Sequence, residues 1–296
     1  MTESAQTKKK LIDFKCRQAN LSGFPPELID RLSLTFPKTY LEPEWMVKAA
    51  QGVQAATGNA VAILPFCHTL EAEALGGLIA LEDGVFGPRA KGYAYETLDE
   101  LLQMPAMDFT SGRLQATLEA CRLLKEAGTP VAIEISGFFS ILSNLIDLTK
   151  VFKAWRKRGD DMKMLQNKLA QDLAKFFAAA KEVGVDILCY ADPAGGVDIV
   201  GPKYTEVAAK EFLYPLIKEV SALADEHTII HLCPKASLIL YGLGLAKREE
   251  LDFAPGIRYV DACLQARGHA AVIGQACVKN AGCILRHGKL WVYELQ

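Results

Sequence analysis

The sequence has no hydrophobic run that is long enough to cross a membrane. No window approaches the ~20 apolar residues of a membrane-spanning helix, and the N-terminal MTESAQTKKK has no apolar stretch behind its charges. We therefore expect a cytoplasmic protein with no membrane partner. An excess of one charge is also missing, since 33 Lys and Arg face 35 Asp and Glu. The resulting field is too weak to attract nucleic acid or an anionic surface.

Linkers, internal repeats and low-complexity segments are missing as well. No Gly/Ser-rich or Pro-rich stretch interrupts the 296 residues, and half of them are hydrophobic, which is a globular composition. Residues 1–10 are predicted to form a flexible solvated tail, and residues 11–296 to form one domain. The 8 cysteines are scattered through a long chain, which indicates reduced thiols and raises the question of a metal site.

Short apolar runs alternate along the chain with longer amphipathic segments. The runs are almost continuously hydrophobic, which is typical of strands that are buried on both faces of a parallel sheet. They predict strands at 60–66, 130–135, 185–190, 228–233, 257–260, 270–274 and 290–295. The amphipathic segments predict helices at 42–56, 112–127, 160–183 and 205–224.

Alternating strands and helices over this length are compatible with two architectures, an open doubly wound sheet and a closed (β/α)8 barrel. An open dinucleotide-binding sheet normally has a glycine-rich turn after its first strand. The turn after Phe66, CHTLEAE, lacks one. The sequence therefore favours an α/β fold of the (β/α)8 TIM-barrel type in a single domain, with one or two units that are short.

Two predicted strand ends carry residues of the types that bind metals. Active sites of TIM barrels lie at the carboxyl ends of the strands. His231 and Cys233 are two residues apart on one strand, so their side chains point to the same face and can converge on one ion. Together with a second thiol they would form a soft site that suits Zn²⁺ and leaves one tetrahedral position open. The spacing alone leaves that thiol open among Cys263, Cys277 and Cys283, and buried core cysteines are a competing interpretation.

Two segments resemble the start of the methylcobamide:coenzyme M methyltransferases, which belong to the uroporphyrinogen decarboxylase superfamily. They are FPKTYLEPEWM at 36–46 and LPFCHTLEAEALG at 64–76, and the similarity extends to about residue 240. His231 and Cys233 fall where those enzymes carry a His-x-Cys zinc motif that a distant cysteine completes. The resemblance thus implies zinc at His231 and Cys233, and we predict Cys277 as the third ligand because it follows an apolar run at a predicted strand end. The region after Cys233 is shortened relative to that family, which leaves Cys283 as the alternative ligand, while Cys263 is expected in the core.

The resemblance implies a zinc-dependent methyltransferase that moves a methyl group between a methylated corrinoid, carried by a partner protein, and a small-molecule thiol such as coenzyme M. Two alternatives stay open. One is the transfer of a methyl group from a donor such as a methoxylated aromatic to Co(I), and the other is a barrel without catalysis that binds a corrinoid protein or a small molecule. A decarboxylase is disfavoured, because Arg17 and Arg31 are isolated where that branch has an arginine-rich segment.

Further candidate site residues follow other predicted strands. Tyr190 and Asp192 are expected to line the barrel mouth, where Asp192 would orient substrate or handle a proton, or would form only an Asx-Pro turn. His68 is a secondary candidate for contact with corrinoid or substrate. Glu71 and Glu73 are assigned to cofactor binding on the resemblance alone, since acidic residues are favoured at the start of a helix in any case.

Two more features need an explanation. Glu134 lies inside a predicted strand, and a buried carboxylate there requires a partner. The segment 150–158, KVFKAWRKR, is basic and could dock an acidic corrinoid protein. A solvated helix face with Phe152 and Trp155 turned inward is the simpler interpretation.

Overall fold

The computed structural model describes residues 11–15 and 23–296, so the predicted tail at 1–10 lies outside the described residues. The helices are α1 (Pro26–Leu32), α2 (Lys38–Leu41), α3 (Pro43–Thr57), α4 (Leu70–Ala74), α5 (Leu98–Leu102), α6 (Gly112–Glu126), α7 (Phe138–Leu145), α8 (Leu148–Lys157), α9 (Gly159–Glu182), α10 (Val197–Val200), α11 (Pro202–Ala208), α12 (Tyr214–Val220), α13 (Pro234–Gly242) and α14 (Tyr259–Gln265). The strands are β1 (Ala62–Leu64), β2 (Ile79–Ala80), β3 (Arg89–Ala90), β4 (Val131–Ser136), β5 (Ile187–Ala191), β6 (Ile229–Leu232), β7 (Ala246–Asp252), β8 (Ile257–Arg258), β9 (Val272–Ile273), β10 (Ile284–Leu285) and β11 (Lys289–Leu295).

A seven-stranded sheet forms the centre of the fold, in the order β1-β4-β5-β6-β9-β11-β7. The pairs from β1 to β9 are parallel, whereas β11 pairs antiparallel with both β9 and β7. Helices form most of the connections between the parallel strands, as right-handed crossovers require. The predicted α/β fold with a parallel central sheet of the TIM-barrel type is confirmed.

Both faces of the central strands are buried, and this explains why they are almost continuously hydrophobic in sequence. In β4, Val131, Ile133 and Ile135 pack in the large cluster that the helices form, while Ala132 packs in a second cluster on the other face. All six residues of β4 are buried. Burial on two faces removes the alternation of polar and apolar residues that a half-exposed strand shows.

The register of the parallel strands places three polar side chains in one row. Glu134 of β4 is paired with Cys189 of β5, and Cys189 is paired with His231 of β6. Side chains in register on neighbouring strands project from the same face of the sheet. The exposed fractions of these three residues are 3%, 1% and 0%, so the row is buried within the fold.

One strand prediction was wrong in detail, and one strand of the central sheet was missed. The segment 257–260 contributes only two residues to a strand, β8, which pairs with β10 outside the central sheet, and α14 begins at Tyr259. Strand β7 was not predicted, because its sequence, AKREELD, is charged and mostly exposed. It is the terminal strand of the sheet, where charged residues are tolerated and even discourage pairing with other chains.

The long helix predicted at 205–224 is divided into several pieces. A π-helical turn, Ala209–Leu213, separates α11 from α12, and a short 3₁₀ turn, Ser221–Leu223, follows α12. Pro215, in the first turn of α12, has no N–H group to donate to the preceding turn, so a regular helix cannot continue through it.

The basic segment 150–158 lies almost entirely in α8, with its aromatic residues turned inward as predicted. Trp155 is 8% exposed, and the ring of Phe152 stacks on Tyr204 at 4.9 Å between centroids. None of the seven cysteines in the described part of the chain forms a disulfide. Within residues 11–15 and 23–296, no helix is both long enough and apolar enough to span a bilayer.

Candidate functional site

A pocket lies at the carboxyl ends of β4, β5 and β6. Parallel strands end at the same edge of a sheet, so this edge collects side chains from distant parts of the sequence. The polar residues that line the pocket are His68, Glu134, Cys189, His231, Cys233, Lys235, Cys277 and Lys279. The three predicted metal ligands and the predicted contact residue His68 are therefore brought together.

The three alternative cysteines occupy different environments. Cys277 lines the pocket beside His231 and Cys233. Cys263 is fully buried in α14, within the cluster that covers the inner face of the sheet, as expected. Cys283 packs against the same cluster and is partly buried. These placements favour Cys277 over Cys283 as the third candidate ligand.

His231 is held through both of its ring nitrogens. Nε2 lies 3.0 Å from the carbonyl oxygen of Ala276 and 2.9 Å from the hydroxyl of Tyr259, and Nδ1 lies 3.0 Å from Sγ of Cys189. Burial lowers the pKa of His231 to about 4, against the opposing effects of the Ala276 carbonyl and Glu134, so the ring is neutral near pH 7. A carbonyl can only accept, so the proton is placed on Nε2 and the lone pair on Nδ1.

The donors suit a soft divalent ion in their chemistry, although their present arrangement is not that of a bound metal. No group of three or more His, Cys, Asp or Glu side chains in the described ranges is arranged to hold a metal ion. A neutral imidazole and thiol sulfurs are nevertheless the ligands that Zn²⁺ prefers. The hydrogen bond from Nε2 to Ala276 is also the outer contact that orients a metal-binding histidine.

Glu134 has the partner that its burial requires. Its Oε2 lies 2.5 Å from Nζ of Lys279 and 3.9 Å from Nε2 of His68. Burial opposes ionisation of Glu134, but the ammonium of Lys279 outweighs it and lowers the pKa of the carboxyl. Burial lowers the pKa of Lys279, but the negative charge of Glu134 outweighs this effect, so the pKa of the ammonium is raised overall. The pair is therefore ionised at neutral pH and lies directly beside the candidate ligands.

His68 is neutral in the same pocket. Burial is the main cause that lowers its pKa to about 4, with Lys279 acting in the same direction and Glu134 opposing both. Asn144 donates to the main-chain oxygen of His68 over 3.1 Å and so fixes the loop that follows β1. The sequence prediction that His68 contacts substrate or corrinoid is consistent with its place in the pocket lining.

Asp192 and Tyr190 line a neighbouring cavity rather than the wall beside His231. The carboxylate of Asp192 accepts hydrogen bonds from the backbone N–H groups of Phe139, at 3.1 Å, and Ser140, at 2.8 Å, and from the Ser140 hydroxyl at 2.7 Å. Burial raises the pKa of Asp192 although these bonds oppose the rise. Asp192 thus satisfies free N–H groups at the start of α7. Lys235 lines both cavities and connects them.

Replacing Asp192 with alanine is expected to lower the free energy of unfolding by about 1–3 kcal/mol, because two buried N–H groups would lose their acceptor. Urea denaturation followed by circular dichroism measures this loss. Asp198→Ala is the matched control, since that carboxylate is 36% exposed and lies 3.8 Å from Lys235. Its expected cost is less than about 1 kcal/mol, and equal losses in the two variants would contradict the capping role.

Glu71 and Glu73 do not line the pocket around His231 and instead fix the segment after β1. Oε1 of the fully buried Glu71 accepts from the backbone N–H of Ser136 at 2.6 Å, which ties α4 to the end of β4. Oε2 of Glu73 lies 2.5 Å from Nε of Arg113, a residue of α6 that is 6% exposed. Arg113 also donates to Sγ of Cys67 over 3.2 Å. These contacts hold the loop that carries His68.

Three polar residues of the pocket were missed in the sequence: Cys189, Lys235 and Lys279. Cys189 lies in the middle of an apolar run, where a cysteine is an ordinary core residue, and the strand register alone places it beside His231. Lys279 follows Cys277 by two positions in a segment without a regular pattern. The requirement of Glu134 for a buried partner was the signal for Lys279, but nothing in the spacing identified which cation would supply it.

These features can be compared with known proteins. A profile of the family described as uroporphyrinogen decarboxylase (URO-D) matches residues 17–254. The chain belongs to this family. The relatives of this URO-D family member include the methylcobamide:CoM methyltransferase MtaA of Methanosarcina barkeri (strain Fusaro / DSM 804), which is 26% identical over 237 residues, 77% of this chain and 69% of the relative. The resemblance proposed from the sequence is confirmed.

Other comparisons agree with this placement. The methylcobamide:CoM methyltransferase MtbA of Methanosarcina mazei is 24% identical over 205 residues, which cover 67% of this chain and 59% of that protein. A solved structure described as a methyltransferase from Methanosarcina mazei superimposes with a TM-score of 0.59 at 22% identity, over 76% of this chain and 67% of the other. This likeness establishes a shared fold for the URO-D family member.

Proposed function

We propose that this URO-D family protein is a zinc-dependent methyltransferase that moves a methyl group between a methylated corrinoid on a partner protein and a small thiol. The observation that carries the proposal is the convergence of His231, Cys233 and Cys277 on one pocket at the strand ends. The similarity to methyltransferases that act on methylcobamide and CoM supports the choice of reaction.

The residues around the proposed ligands favour a nucleophilic sulfur. Bound Zn²⁺ would supply the Lewis acidity that keeps a substrate thiol deprotonated at neutral pH. Cys233 immediately precedes α13, and the amino terminus of a helix stabilises a thiolate. The backbone carbonyl of Ala276 orients the imidazole of His231, so that Nδ1 is its available donor atom.

The pocket also supplies positive charge to anionic sulfurs. Lys235 is largely buried, and its Nζ donates to the carbonyl of Pro193 over 2.9 Å. Lys279 is neutralised in part by Glu134, at 2.5 Å. Two lysines in a poorly solvated pocket offset the charge of two or more thiolates, which would otherwise repel one another.

The proposed transfer is a nucleophilic substitution at carbon. The thiolate sulfur attacks the methyl carbon, a carbon–sulfur bond forms, and the cobalt–carbon bond breaks with its electron pair left on cobalt. We assign His68 to contact with substrate or corrinoid. Tyr190, Asp192, Glu71 and Glu73 are assigned to positioning, because their polar atoms are occupied in joining α7, α4 and α6 to the sheet.

Metal analysis tests the ligands directly. The purified protein is expected to contain about one zinc per chain, and His231→Ala is expected to lose it, because a site with one ligand fewer binds far more weakly. His287→Ala removes an exposed histidine and is the matched control. Zinc retained equally in both variants, or absent from the native protein after reconstitution, would overturn the assignment.

The direction of transfer requires a second experiment. Free methylcob(III)alamin is mixed with the zinc-loaded protein and a series of small thiols while the cobalt absorption spectrum is followed. Conversion to Co(I) that depends on thiol and protein supports the proposed reaction. Zinc binding without demethylation by any thiol would instead favour the alternative in which a methyl donor such as a methoxylated aromatic is demethylated.

A further inference from the structure

Cys189 is the side chain that faces the candidate donor nitrogen of His231. Its sulfur lies 3.0 Å from Nδ1, and the two residues are register partners on β5 and β6. Cys189 is 1% exposed and lines the same pocket as Cys233 and Cys277. A third thiol therefore lies next to the predicted ligands, and nothing in the sequence pattern assigned it a role.

The nitrogen of His231 that can bind a metal ion is the one that faces Cys189. The carbonyl oxygen of Ala276, 3.0 Å from Nε2, can only accept a hydrogen bond, so Nε2 carries the proton. The unprotonated Nδ1 then points toward Cys189. Any ion bound by Nδ1 lies on the side of the ring where Sγ of Cys189 is found.

We propose that Cys189 is a metal ligand, so that the site without substrate consists of one imidazole and three thiolates. This inference rests on the proposed function for the identity of the ion and extends it to a fourth protein ligand. Two donors on tetrahedral zinc lie about 3.5 Å apart, given Zn–N of about 2.0 Å and Zn–S of about 2.3 Å. The pair formed by Cys189 and His231 needs to open by only about half an ångström to bind one ion in common.

A complete set of four protein ligands changes how a substrate thiol enters. A site with three ligands accepts the thiol at an open position and releases its proton to solvent. If four protein residues held the ion, a substrate thiol would replace one protein thiolate, and the proton of the substrate thiol would pass to the displaced cysteine. The substrate sulfur would be bound in both cases, but no proton would be released to solvent in the second.

X-ray absorption at the zinc edge of the thiol-free, zinc-loaded protein counts the sulfur ligands. We expect about three sulfur atoms per zinc in the native protein and about two in Cys189→Ala. Cys121→Ala removes an equally buried cysteine from α6 that does not line the pocket, and this variant is expected to retain three sulfur ligands. Two sulfur atoms in the native protein would overturn the inference and leave the proposed function intact, and this result requires no variant to fold.

Proton release on thiol binding is the second measurement. In a weakly buffered solution with a pH indicator, the native zinc protein is expected to release almost no protons when a small thiol binds, whereas Cys189→Ala releases about one per thiol bound. Release of about one proton by both proteins would contradict the replacement of a protein thiolate by the substrate thiol, and would therefore contradict the inference. Absence of zinc from every preparation would overturn the proposed function as well, so the two failures are distinguishable.

Discussion

Replacing Cys277 with alanine is expected to slow methyl transfer from methylcob(III)alamin to a thiol by more than about 100-fold. Loss of a residue that only orients a metal ligand costs 10- to 100-fold in affinity or activity, and loss of a ligand itself should cost more. Cys277 lines the same pocket as His231 and Cys233 and comes from a separate segment of the chain. The measurement is the initial rate of cobalt reduction at equal protein concentration.

Cys283→Ala is the matched control for this prediction. It removes another partly buried cysteine, six positions further along the chain, which packs against the same hydrophobic cluster as Cys263. We expect its transfer rate to stay within about threefold of the native rate, because the substitution removes only modest packing. The opposite result, a large loss in Cys283→Ala and none in Cys277→Ala, would assign the third ligand to Cys283.

Replacing Lys279 with methionine is expected to lower the free energy of unfolding by about 3–5 kcal/mol, because it leaves the buried carboxylate of Glu134 without its cation. The two side chains are 14% and 3% exposed, and their charged atoms lie 2.5 Å apart. His68, at 3.9 Å and with a lowered pKa, is neutral near pH 7 and cannot compensate. Chemical denaturation in urea at pH 7 measures the loss.

The double variant Lys279→Met with Glu134→Gln provides the control. Removing both charges avoids the unpaired carboxylate, so most of the stability is expected to return. Because the pKa of Glu134 is lowered in the folded protein, the contribution of the pair is complete above the ordinary pKa of glutamate and disappears as the pH falls through the lowered value. A Lys279→Met protein as stable as the native one would show that the pair does not stabilise the fold.

The charged pair formed by Glu134 and Lys279 lies next to the candidate metal ligands. Glu134, Cys189 and His231 form one row across three strands, and Lys279 approaches the row from the segment that also carries Cys277. The ammonium of Lys279 neutralises Glu134 and lies beside the sulfurs. A change at Lys279 is therefore expected to affect both stability and the metal site, whereas a change at Asp192 is expected to affect chiefly stability.

Parts of the site were accessible to sequence reasoning because they depend on local periodicity. His231 lies in β6 and Cys233 directly follows that strand, and both line one pocket, as their spacing of two residues predicts for a strand end. The same holds for the inward orientation of Phe152 and Trp155 in α8. Strand β7 was not predicted, because its sequence is charged rather than hydrophobic. Those charges are tolerated because β7 lies at the end of the sheet, and the local sequence does not reveal that position.

The sequence by itself determined that this protein is built from alternating strands and helices around parallel strands that are buried on both faces, and that His231 and Cys233 point to the same side at the end of one of them. Period-two spacing and continuous hydrophobicity are local properties, so they survive in any fold that contains the strand. The tertiary structure decided which distant residues reach that side. Cys189 meets His231 through strand register, and Lys279 meets Glu134 through the path of the chain after β9. Both contacts join residues more than forty positions apart, and no local pattern specifies such pairings.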